Sequence, residues 1–258
     1  MEKIYGRTKT IQEDKVSGFC PGCMHSTVIK LIGEVLEEMD LVDRAACVLG
    51  IGCCGLHMDY IAYDNTTAPH GRACAVATGM KRSNPDSLVF TYQGDGDFAS
   101  IGLAESISAA NRGENITVIF INNGIYGMTG GQMAPTTLPH QKTATSPRGK
   151  DPARYGTLNV VDVLGKMDIA YLARGELVGP AGMNNCKKLI RKALDHFRAQ
   201  TIYLIIGLML GSIYAVVMGP TTLEVPQPAM TLHDFNILFF VIGGALIIGL
   251  QKMKDLKA

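Results

Sequence analysis

Residues 88–124 read LVFTYQGDGDFASIGLAESISAANRGENITVIFINNG, and this stretch decides the fold of the chain. Residues 88–92 and 116–121 are short apolar runs, and the second consists mostly of β-branched residues, as buried strands do. Residues 98–112 lie between them and have the composition of a helix rich in small residues. A strand, a glycine-rich turn, a helix and a second strand predict one βαβ unit of a parallel sheet.

The same alternation of strands and helices extends over residues 1–198. Apolar periodicity predicts further helices at 25–39 and 182–198, and short apolar runs predict strands at 47–51 and 169–172. Residues 132–152 contain four prolines and no periodicity, which predicts an ordered loop or a lid. The pattern as a whole indicates the α/β class, with a doubly wound and mostly parallel sheet.

Composition and charge narrow the classes of protein. The chain has 258 residues, is 47% hydrophobic and 18% charged, and carries a net charge of +1. These values exclude a disordered chain, and they argue against a protein that binds nucleic acid through a basic surface. Seven cysteines accompany a charged segment at 1–15 without an apolar core, so we expect no signal peptide and a cytoplasmic catalytic domain with reduced cysteines.

The C-terminal 60 residues differ in character from the rest. Residues 201–218 form an uncharged run of 18, and residues 235–250 form a second uncharged run of 16, with prolines between them. We therefore predict a second domain at 199–258, an apolar hairpin of two transmembrane helices that attaches the chain to a membrane through residues 201–250. Lysines beyond both runs would keep the two ends in the cytoplasm. The alternative for residues 201–210 is a central strand of the sheet, which also reads as a continuous apolar run.

The glycine turn is the clearest site signal. Gly94, Asp95, Gly96 and Asp97 follow a predicted strand and precede a helix, an arrangement that binds phosphate groups. Two carboxylates would repel a bare pyrophosphate, so we expect a Mg²⁺ ion beside them. Asn123 ends the next strand about 28 residues later, at the same edge of the sheet, and supplies a second oxygen donor.

The cysteines and histidines give weaker signals. Cys20 and Cys23 are spaced to bind one metal ion, and Cys53 follows a short strand that allows it to reach the same centre. A zinc site and a redox pair remain open at this point. Cys47, Cys74 and Cys186 are predicted to be buried small residues. His57 is predicted to lie on the surface.

A family resemblance follows from these motifs. GDG at 94–96, followed by NN at 122–123, resembles the thiamine pyrophosphate motif. GMTGGQ at 127–132 is similar to the β subunit of 2-oxoacid:ferredoxin oxidoreductases, especially the 2-oxoglutarate and branched-chain members, over about residues 15–197. The supporting stretches are CPGC at 20–23, GC at 52–53 and HGR at 70–72. The resemblance implies a thiamine pyrophosphate-binding fold.

The resemblance also assigns roles to residues. It implies that the side chains of Asp95 and Asn123 and the carbonyl of Ile125 bind Mg²⁺, and that the whole turn at 94–97 contacts the cofactor. It places His25 and His70 close to the reacting groups, as the candidate catalytic residues. Thr129 and Gln132 are expected to line the pyrophosphate or substrate pocket.

A [4Fe–4S] cluster is the third cofactor that the resemblance implies. Cys20, Cys23 and Cys53 would be three of its ligands. The family's fourth cysteine precedes a proline near the end of the fold, and this sequence has no cysteine after Cys186. The sequence departs from the family at this point, which leaves the predicted cluster one ligand short.

The implied reaction is oxidative decarboxylation of a 2-oxoacid, with 2-oxoglutarate as the first choice and a branched-chain 2-oxoacid as the second. Coenzyme A receives the acyl group, and ferredoxin receives the electrons. The carboxylate that activates thiamine belongs to the α subunit, which is therefore an expected partner, and the assembly leaves room for γ and δ subunits. We expect this chain to be inactive alone.

Three other interpretations remain open. The tail resembles the last two spans of the polyprenyl-phosphate translocases, which would make the chain a fusion and its first domain a non-catalytic, membrane-anchored remnant. Gly94, Gly96 and Ala99 also match a nicotinamide-dinucleotide turn. Finally, Cys20, Cys23 and Cys53 would suit a zinc-binding interaction module.

Overall fold

The computed structural model describes residues 8–20 and 22–195, and the backbone of 202–207. The helices are α1 (His25–Glu38), α2 (Ala73–Ser83), α3 (Leu103–Asn111), α4 (Val160–Leu164) and α5 (Gly179–Asp195). The strands are β1 (Ala45–Leu49), β2 (Asp64–Thr67), β3 (Leu88–Gly94), β4 (Thr117–Asn122), β5 (Ile125–Tyr126), β6 (Gln132–Met133), β7 (Tyr171–Glu176) and β8 (Ile202–Gly207). A π-helical turn, Asp97–Ile101, connects β3 to α3.

Six strands form one parallel sheet in the order β2-β1-β3-β4-β8-β7, and β5 pairs with β6 in a separate antiparallel ribbon. Alternate residues of the strands face opposite sides. Cys47 and Leu49 of β1 pack with α1 and α5, whereas Val48 packs with α2 and α3. Helices on both faces of a parallel sheet confirm the predicted doubly wound α/β fold.

The sequence located the buried strands better than the edge strands. The predicted βαβ unit and the helix at 25–39 are confirmed within a few residues. The strand predicted at 169–172 begins at Tyr171 and continues to Glu176, and β2 was not predicted. Both lie at the edges of the sheet and carry polar residues, as edge strands usually do, so neither gives an apolar run.

The first transmembrane helix of the predicted hairpin is wrong for residues 202–207. These residues form β8, which lies between β4 and β7, so the alternative of a central strand is correct there. A buried parallel strand and a membrane span both read as uninterrupted apolar sequence, which explains the error. The sheet thus continues past the boundary predicted after residue 198.

Within the part of the chain that the structure describes, no helix has the length and apolar character needed to cross a membrane. Residues 208–258 lie outside the described residues. That segment contains the rest of the first apolar run and the whole second run at 235–250.

Candidate functional site

Loops at the carboxyl edge of the sheet enclose a cavity of about 320 Å³. It opens where the strand order reverses, next to the ends of β1 and β3, which is where open α/β sheets bind ligands. The loops that line it are 51–54 after β1, His70 after β2, 94–96 after β3, and 123 with 125–129 after β4. His25, Ser100 and Ile101 complete the lining.

Asp95 is the most unusual group in this cavity. Its side chain is buried, and its Oδ2 accepts a hydrogen bond of 3.1 Å from the backbone N–H of Ile125. Its Oδ1 makes no hydrogen bond to any described residue. Burial raises the pKa of Asp95 to about 7, although the Thr136 hydroxyl and the N–H groups of residues 123–125 act in the opposite direction. A buried carboxylate oxygen without a donor is a position at which a cation would fit.

The other predicted Mg²⁺ ligands lie at the same place. Oδ1 of Asn123 is 3.3 Å from the N–H of Ile125, the same N–H that contacts Asp95. Both side chains line the cavity, so the ends of β3 and β4 bring a carboxylate and an amide oxygen together as predicted. An oxygen-only donor set with an unsatisfied carboxylate oxygen fits Mg²⁺.

The glycine turn gives a ligand close access to the backbone. A Cβ atom on Gly96 would lie 2.9 Å from Cε1 of Tyr126, so any side chain there would displace the ring that lines the cavity. A Cβ atom on Gly94 would meet nothing within 4 Å. The two glycines therefore differ: Gly96 is required by packing, whereas the space beside Gly94 is open to a diphosphate.

Asp97, predicted to bind the cofactor, does not line the cavity. Its carboxylate is buried beneath the loops and accepts hydrogen bonds from within the protein, including one of 2.9 Å from Nδ1 of His70. The prediction for Asp97 therefore does not match its position. His70, by contrast, lines the cavity as predicted, and its side chain is 38% exposed.

His25 also lines the cavity, and two further aromatic residues hold it. Its Nδ1 is 2.7 Å from the hydroxyl of Tyr92, and its ring stacks on Phe19 with 5.0 Å between centroids. Burial lowers the pKa of His25 to about 4, which keeps the imidazole neutral at physiological pH. Tyr92 had no motif to identify it, because it is an ordinary apolar position of β3 in the sequence.

His57 is buried, and the prediction that it lies on the surface is wrong. Its ring stands edge-on to Tyr92, with 4.9 Å between centroids, and neither ring nitrogen has a hydrogen-bond partner among the described residues. Burial and the neighbouring His25 lower the pKa of His57 to about 3, although the Cys54 backbone acts in the opposite direction.

The two buried histidines should make the protein sensitive to acid. In the unfolded chain they take up protons near pH 6.5, but in the fold only near pH 4 and pH 3. The unfolded state therefore binds more protons below pH 6.5, and stability is lost as the pH falls, by up to about 1.4 kcal/mol per pH unit for each histidine.

We expect His57→Phe to reduce the number of protons taken up on unfolding in acid by about one. The variant keeps an aromatic ring and removes two nitrogens that have no hydrogen-bond partner among the described residues. Urea unfolding between pH 4.5 and 7.5 measures the effect. An unchanged slope in the variant would contradict the assignment of His57.

The predicted cluster ligands are only partly assembled. Burial raises the thiol pKa of Cys23 and of Cys53, and the nearby Cys20 adds a smaller effect in the same direction on both. Of these three cysteines, Cys53 alone lines the cavity. No group of three or more His, Cys, Asp or Glu side chains in the described ranges is arranged to hold a metal ion. A [4Fe–4S] cluster takes four thiolates, so the described residues do not fit one.

The remaining cysteines follow the sequence prediction. The three cysteines predicted to be buried small residues are buried, namely Cys47, Cys74 and Cys186. Cys54 is buried as well.

Thr129 and Gln132 stabilise the turn between β5 and β6. The Thr129 hydroxyl donates to Oε1 of Gln132 at 2.6 Å, and Nε2 of Gln132 donates to the Thr129 carbonyl at 2.7 Å. Thr129 lines the cavity, whereas Gln132 does not. Gln132 therefore supports the wall of the cavity and does not form part of it.

A buried lysine in the following loop supports the turn after β4, which carries Asn123. Nζ of Lys150 donates to the Thr137 carbonyl at 2.7 Å and to the Thr157 hydroxyl at 3.1 Å. The Thr137 hydroxyl in turn donates to the carbonyl of Gly124, next to Asn123, at 2.6 Å. The proline-rich loop is thus ordered, as predicted. Its lysine gave no signal, because burial cannot be read from a single charged residue.

Comparison with known proteins gives consistent matches. A family profile described as thiamine pyrophosphate enzyme, C-terminal TPP binding domain, matches residues 50–205. Ketoisovalerate oxidoreductase subunit VorA of Methanothermobacter thermautotrophicus is 44% identical over 179 residues, which cover 69% of this chain and 38% of VorA. 2-Oxoglutarate synthase subunit KorB of Methanocaldococcus jannaschii is 38% identical over 191 residues, which cover 71% of this chain and 68% of KorB.

A solved structure agrees with these sequence matches. The 2-oxoglutarate:ferredoxin oxidoreductase from Magnetococcus marinus, with 2-oxoglutarate, coenzyme A and succinyl-CoA bound, superposes with a TM-score of 0.69 at 27% identity. The superposition covers 80% of this chain and 72% of that chain. The match to VorA spans well under half of that subunit's length. None of these matches supports the translocase resemblance of the tail.

Proposed function

Because this chain belongs to the thiamine pyrophosphate enzymes, and within them to the β subunits of 2-oxoacid:ferredoxin oxidoreductases, we propose that it binds Mg²⁺–thiamine pyrophosphate for the oxidative decarboxylation of a 2-oxoacid. The acyl product is transferred to coenzyme A, and the electrons pass to ferredoxin. The observation that carries the proposal is the buried Oδ1 of Asp95, which has no hydrogen-bond partner among the described residues and belongs to a side chain that lines the same cavity as Asn123.

The chain's own residues hold the cofactor in this proposal. Asp95, Asn123 and the carbonyl of Ile125 bind Mg²⁺, and the open backbone at Gly94 receives the diphosphate. Thiamine pyrophosphate, when bound, supplies a nucleophilic carbon and a sink for the electrons released with carbon dioxide. The protein positions these groups and excludes water from them.

The two cavity histidines have different roles in this proposal. His25 is buried and neutral, so it would act as a hydrogen-bonding group in the wall of the cavity. His70 is partly exposed, and we assign its Nε2 to accept a hydrogen bond from the substrate or the cofactor. Among the described residues, no lysine or arginine lines the cavity, so we expect backbone N–H groups or the partner subunit to bind the carboxylate of the 2-oxoacid.

The lining of the cavity favours a 2-oxoacid with an apolar side chain. Ile51, Ile101 and Met128 line it, and each is at least 40% exposed, so apolar surface is available to a substrate. A second carboxylate, as in 2-oxoglutarate, would need a cation that the described lining does not provide. We therefore reverse the order predicted from sequence and place a branched-chain 2-oxoacid first.

We expect the assembled enzyme to use 2-oxoisovalerate with a kcat/KM at least about 10-fold higher than that for 2-oxoglutarate, the discrimination expected from a few buried methylenes and one unpaired charge. Dye reduction with each 2-oxoacid measures this ratio. Preference for 2-oxoglutarate would show that the partner subunit, and not this wall, selects the substrate.

The site is incomplete without a second subunit. No glutamate in the described part of the chain lines the cavity, so the carboxylate that activates thiamine has to come from the α subunit. Any [4Fe–4S] acceptor would take at most three ligands from Cys20, Cys23 and Cys53 and would need the fourth from outside the described residues.

The test uses this chain alone and in complex with its α subunit. Calorimetric titration with thiamine pyrophosphate, with and without Mg²⁺, measures cofactor binding, and 2-oxoacid-dependent dye reduction measures activity. We expect binding that requires Mg²⁺ and activity only in the complex. Cofactor binding without a metal ion would favour the nicotinamide-type turn, and a complex that binds no cofactor would favour the non-catalytic interpretation.

A further inference from the structure

We propose that Asp97 is a positioning residue, which fixes the ring of His70 in one orientation and one tautomer so that Nε2 faces the cavity. The role of His70 in catalysis rests on the proposed function, but the orientation of its ring does not. Asp97 is the second acid of the GDGD turn, and its burial away from the cavity shows that it serves a different purpose from Asp95.

The contacts of Asp97 come from several loops. Its Oδ1 accepts hydrogen bonds from the backbone N–H of Ile51 at 3.0 Å, the backbone N–H of Gly71 at 2.8 Å and Nδ1 of His70 at 2.9 Å. Its Oδ2 accepts one from Nε2 of Gln93 at 2.7 Å. One buried carboxylate thus connects the loops after β1 and β2 to strand β3.

These contacts determine the tautomer of His70. Backbone N–H groups can only donate, so Oδ1 of Asp97 has to be an acceptor. Oε1 of Gln93 accepts from the Thr91 hydroxyl at 2.9 Å, which directs its NH₂ group to Oδ2 of Asp97. Since both carboxylate oxygens of Asp97 are acceptors, the hydrogen between Nδ1 of His70 and Oδ1 of Asp97 is bonded to Nδ1. Nε2 is then the nitrogen left for a ligand.

The packing around Asp97 leaves no room for another arrangement. A Cβ atom on Gly50 would lie 2.4 Å from Oδ2 of Asp97, so the loop after β1 approaches the carboxylate only because residue 50 is glycine. On the other side, Cε1 of His70 lies 3.6 Å from the position of a Cβ atom on Gly96. The His70 ring is therefore held between Asp97 and the cofactor turn.

A fixed ring matters because the Nε2–H tautomer would aim a hydrogen at the cavity and leave Nδ1 facing a carboxylate without a proton between them. Partners that orient a metal-bound histidine through its other ring nitrogen are typically worth 10–100-fold in affinity or activity. We expect removal of the Asp97 side chain to lower kcat/KM by a factor in the same range, because the orientation of His70 is lost with it.

The first test needs no partner subunit. The full-length chain has six histidines, so ring-¹⁵N-labelled histidine gives few signals, and His70→Gln identifies the signal of residue 70. We expect a neutral His70 in the Nδ1–H form in the wild-type chain. A predominant Nε2–H form, or fast exchange between the two forms, would overturn the proposal without any variant of Asp97.

The second test measures kcat/KM in the α–β complex for Asp97→Ala, Asp97→Asn, His70→Ala and the Asp97→Ala/His70→Ala double variant. We expect a loss of 10–100-fold for Asp97→Ala and for His70→Ala, and no further loss in the double variant. Asp97→Asn keeps an oxygen that can accept from Nδ1, but its NH₂ group then faces the NH₂ group of Gln93, so we expect lower stability with the tautomer kept and kcat/KM within about 5-fold of wild type. Additive losses, or a loss in Asp97→Asn equal to that in Asp97→Ala, would contradict a role through His70.

Glu114→Gln is the matched control. Glu114 is a buried carboxylate that pairs with Arg82 and Arg112, outside the cavity lining. Its amide variant should lose stability without changing the His70 signal or kcat/KM. If Asp97→Ala does not fold, the His70 tautomer in the wild-type chain and the kcat/KM of Asp97→Asn still test the role of Asp97. A wild-type complex without activity would refute the proposed function, while the tautomer would continue to test the role of Asp97.

Discussion

Asp95→Asn is expected to weaken the binding of thiamine pyrophosphate in the presence of Mg²⁺ by more than about 100-fold, because even outer-sphere partners of a metal site are worth 10–100-fold. The amide keeps the shape of the side chain and its bond to the N–H of Ile125, but it removes the negative charge that a divalent cation requires. Calorimetric titration at constant Mg²⁺ concentration measures the loss.

The same substitution should not weaken the metal-free fold. Burial raises the pKa of Asp95 to about 7, whereas the unfolded carboxyl ionises near pH 3.8. Through this group the folded state therefore binds more protons between these values, and the contribution of Asp95 to stability falls as the pH rises from about 4 to 7, opposite in sign to that of the two buried histidines. Asp95→Asn removes this loss, so at pH 8 the variant should be at least as stable as wild type.

The opposite signs of the two effects make the assignment testable. Asp168→Asn, at an exposed position, is the matched control and should change neither quantity. A variant of Asp95 that keeps Mg²⁺-dependent affinity within about twofold would refute its role as a ligand. One that unfolds more easily at pH 8 would instead show that the carboxylate stabilises the metal-free structure.

Gly71→Ala is expected to destabilise the chain by about 3 kcal/mol, the sum of a strained backbone and an overpacked contact. Gly71 has a φ of +77°, in the left-handed region. A Cβ atom there would lie 2.7 Å from the backbone nitrogen of Gly102 and 2.8 Å from the carbonyl carbon of Ile101. Backbone atoms cannot move aside as a flexible side chain can, so the loop that carries His70 would have to shift.

Gly79→Ala is the control for this prediction, with an expected change of opposite sign. Gly79 lies in α2, and its Cβ atom would meet nothing within 4 Å. Alanine in an open helical position should stabilise the chain by about 0.5–1 kcal/mol. Denaturant unfolding of both variants measures the difference. Equal effects would show that the crowding at Gly71 is relieved without cost.

The sequence predicted those site residues whose place in the sheet follows directly from their order along the chain. Asp95 and Asn123 meet because each follows a parallel strand, and such strands end at one edge of the sheet. The inward orientation of Asp97 did not follow from the sequence, because it depends on donors in two other loops.

Burial of isolated polar residues was equally inaccessible from the sequence. His57 and Lys150 are single polar residues whose surroundings come from distant segments, and nothing in their local sequence distinguishes them from surface residues. The composition of the apolar run at 202–207 predicts burial, but it leaves the structure ambiguous. A buried parallel strand and a membrane-spanning helix both favour an uninterrupted apolar sequence.

The place of β8 in the sheet has a consequence for synthesis. β7 pairs only with β8 among the described strands, and β8 pairs with β4, which lies some 80 residues earlier in the chain. Until residue 207 has left the ribosome, β4 presents an open edge and β7 has no strand to join. The sheet is therefore completed by insertion of β8 between β4 and β7. The β4–β8 contacts join residues that are distant in sequence, and such contacts are slow to form. During that interval the nascent chain exposes an apolar edge to chaperones and to other chains.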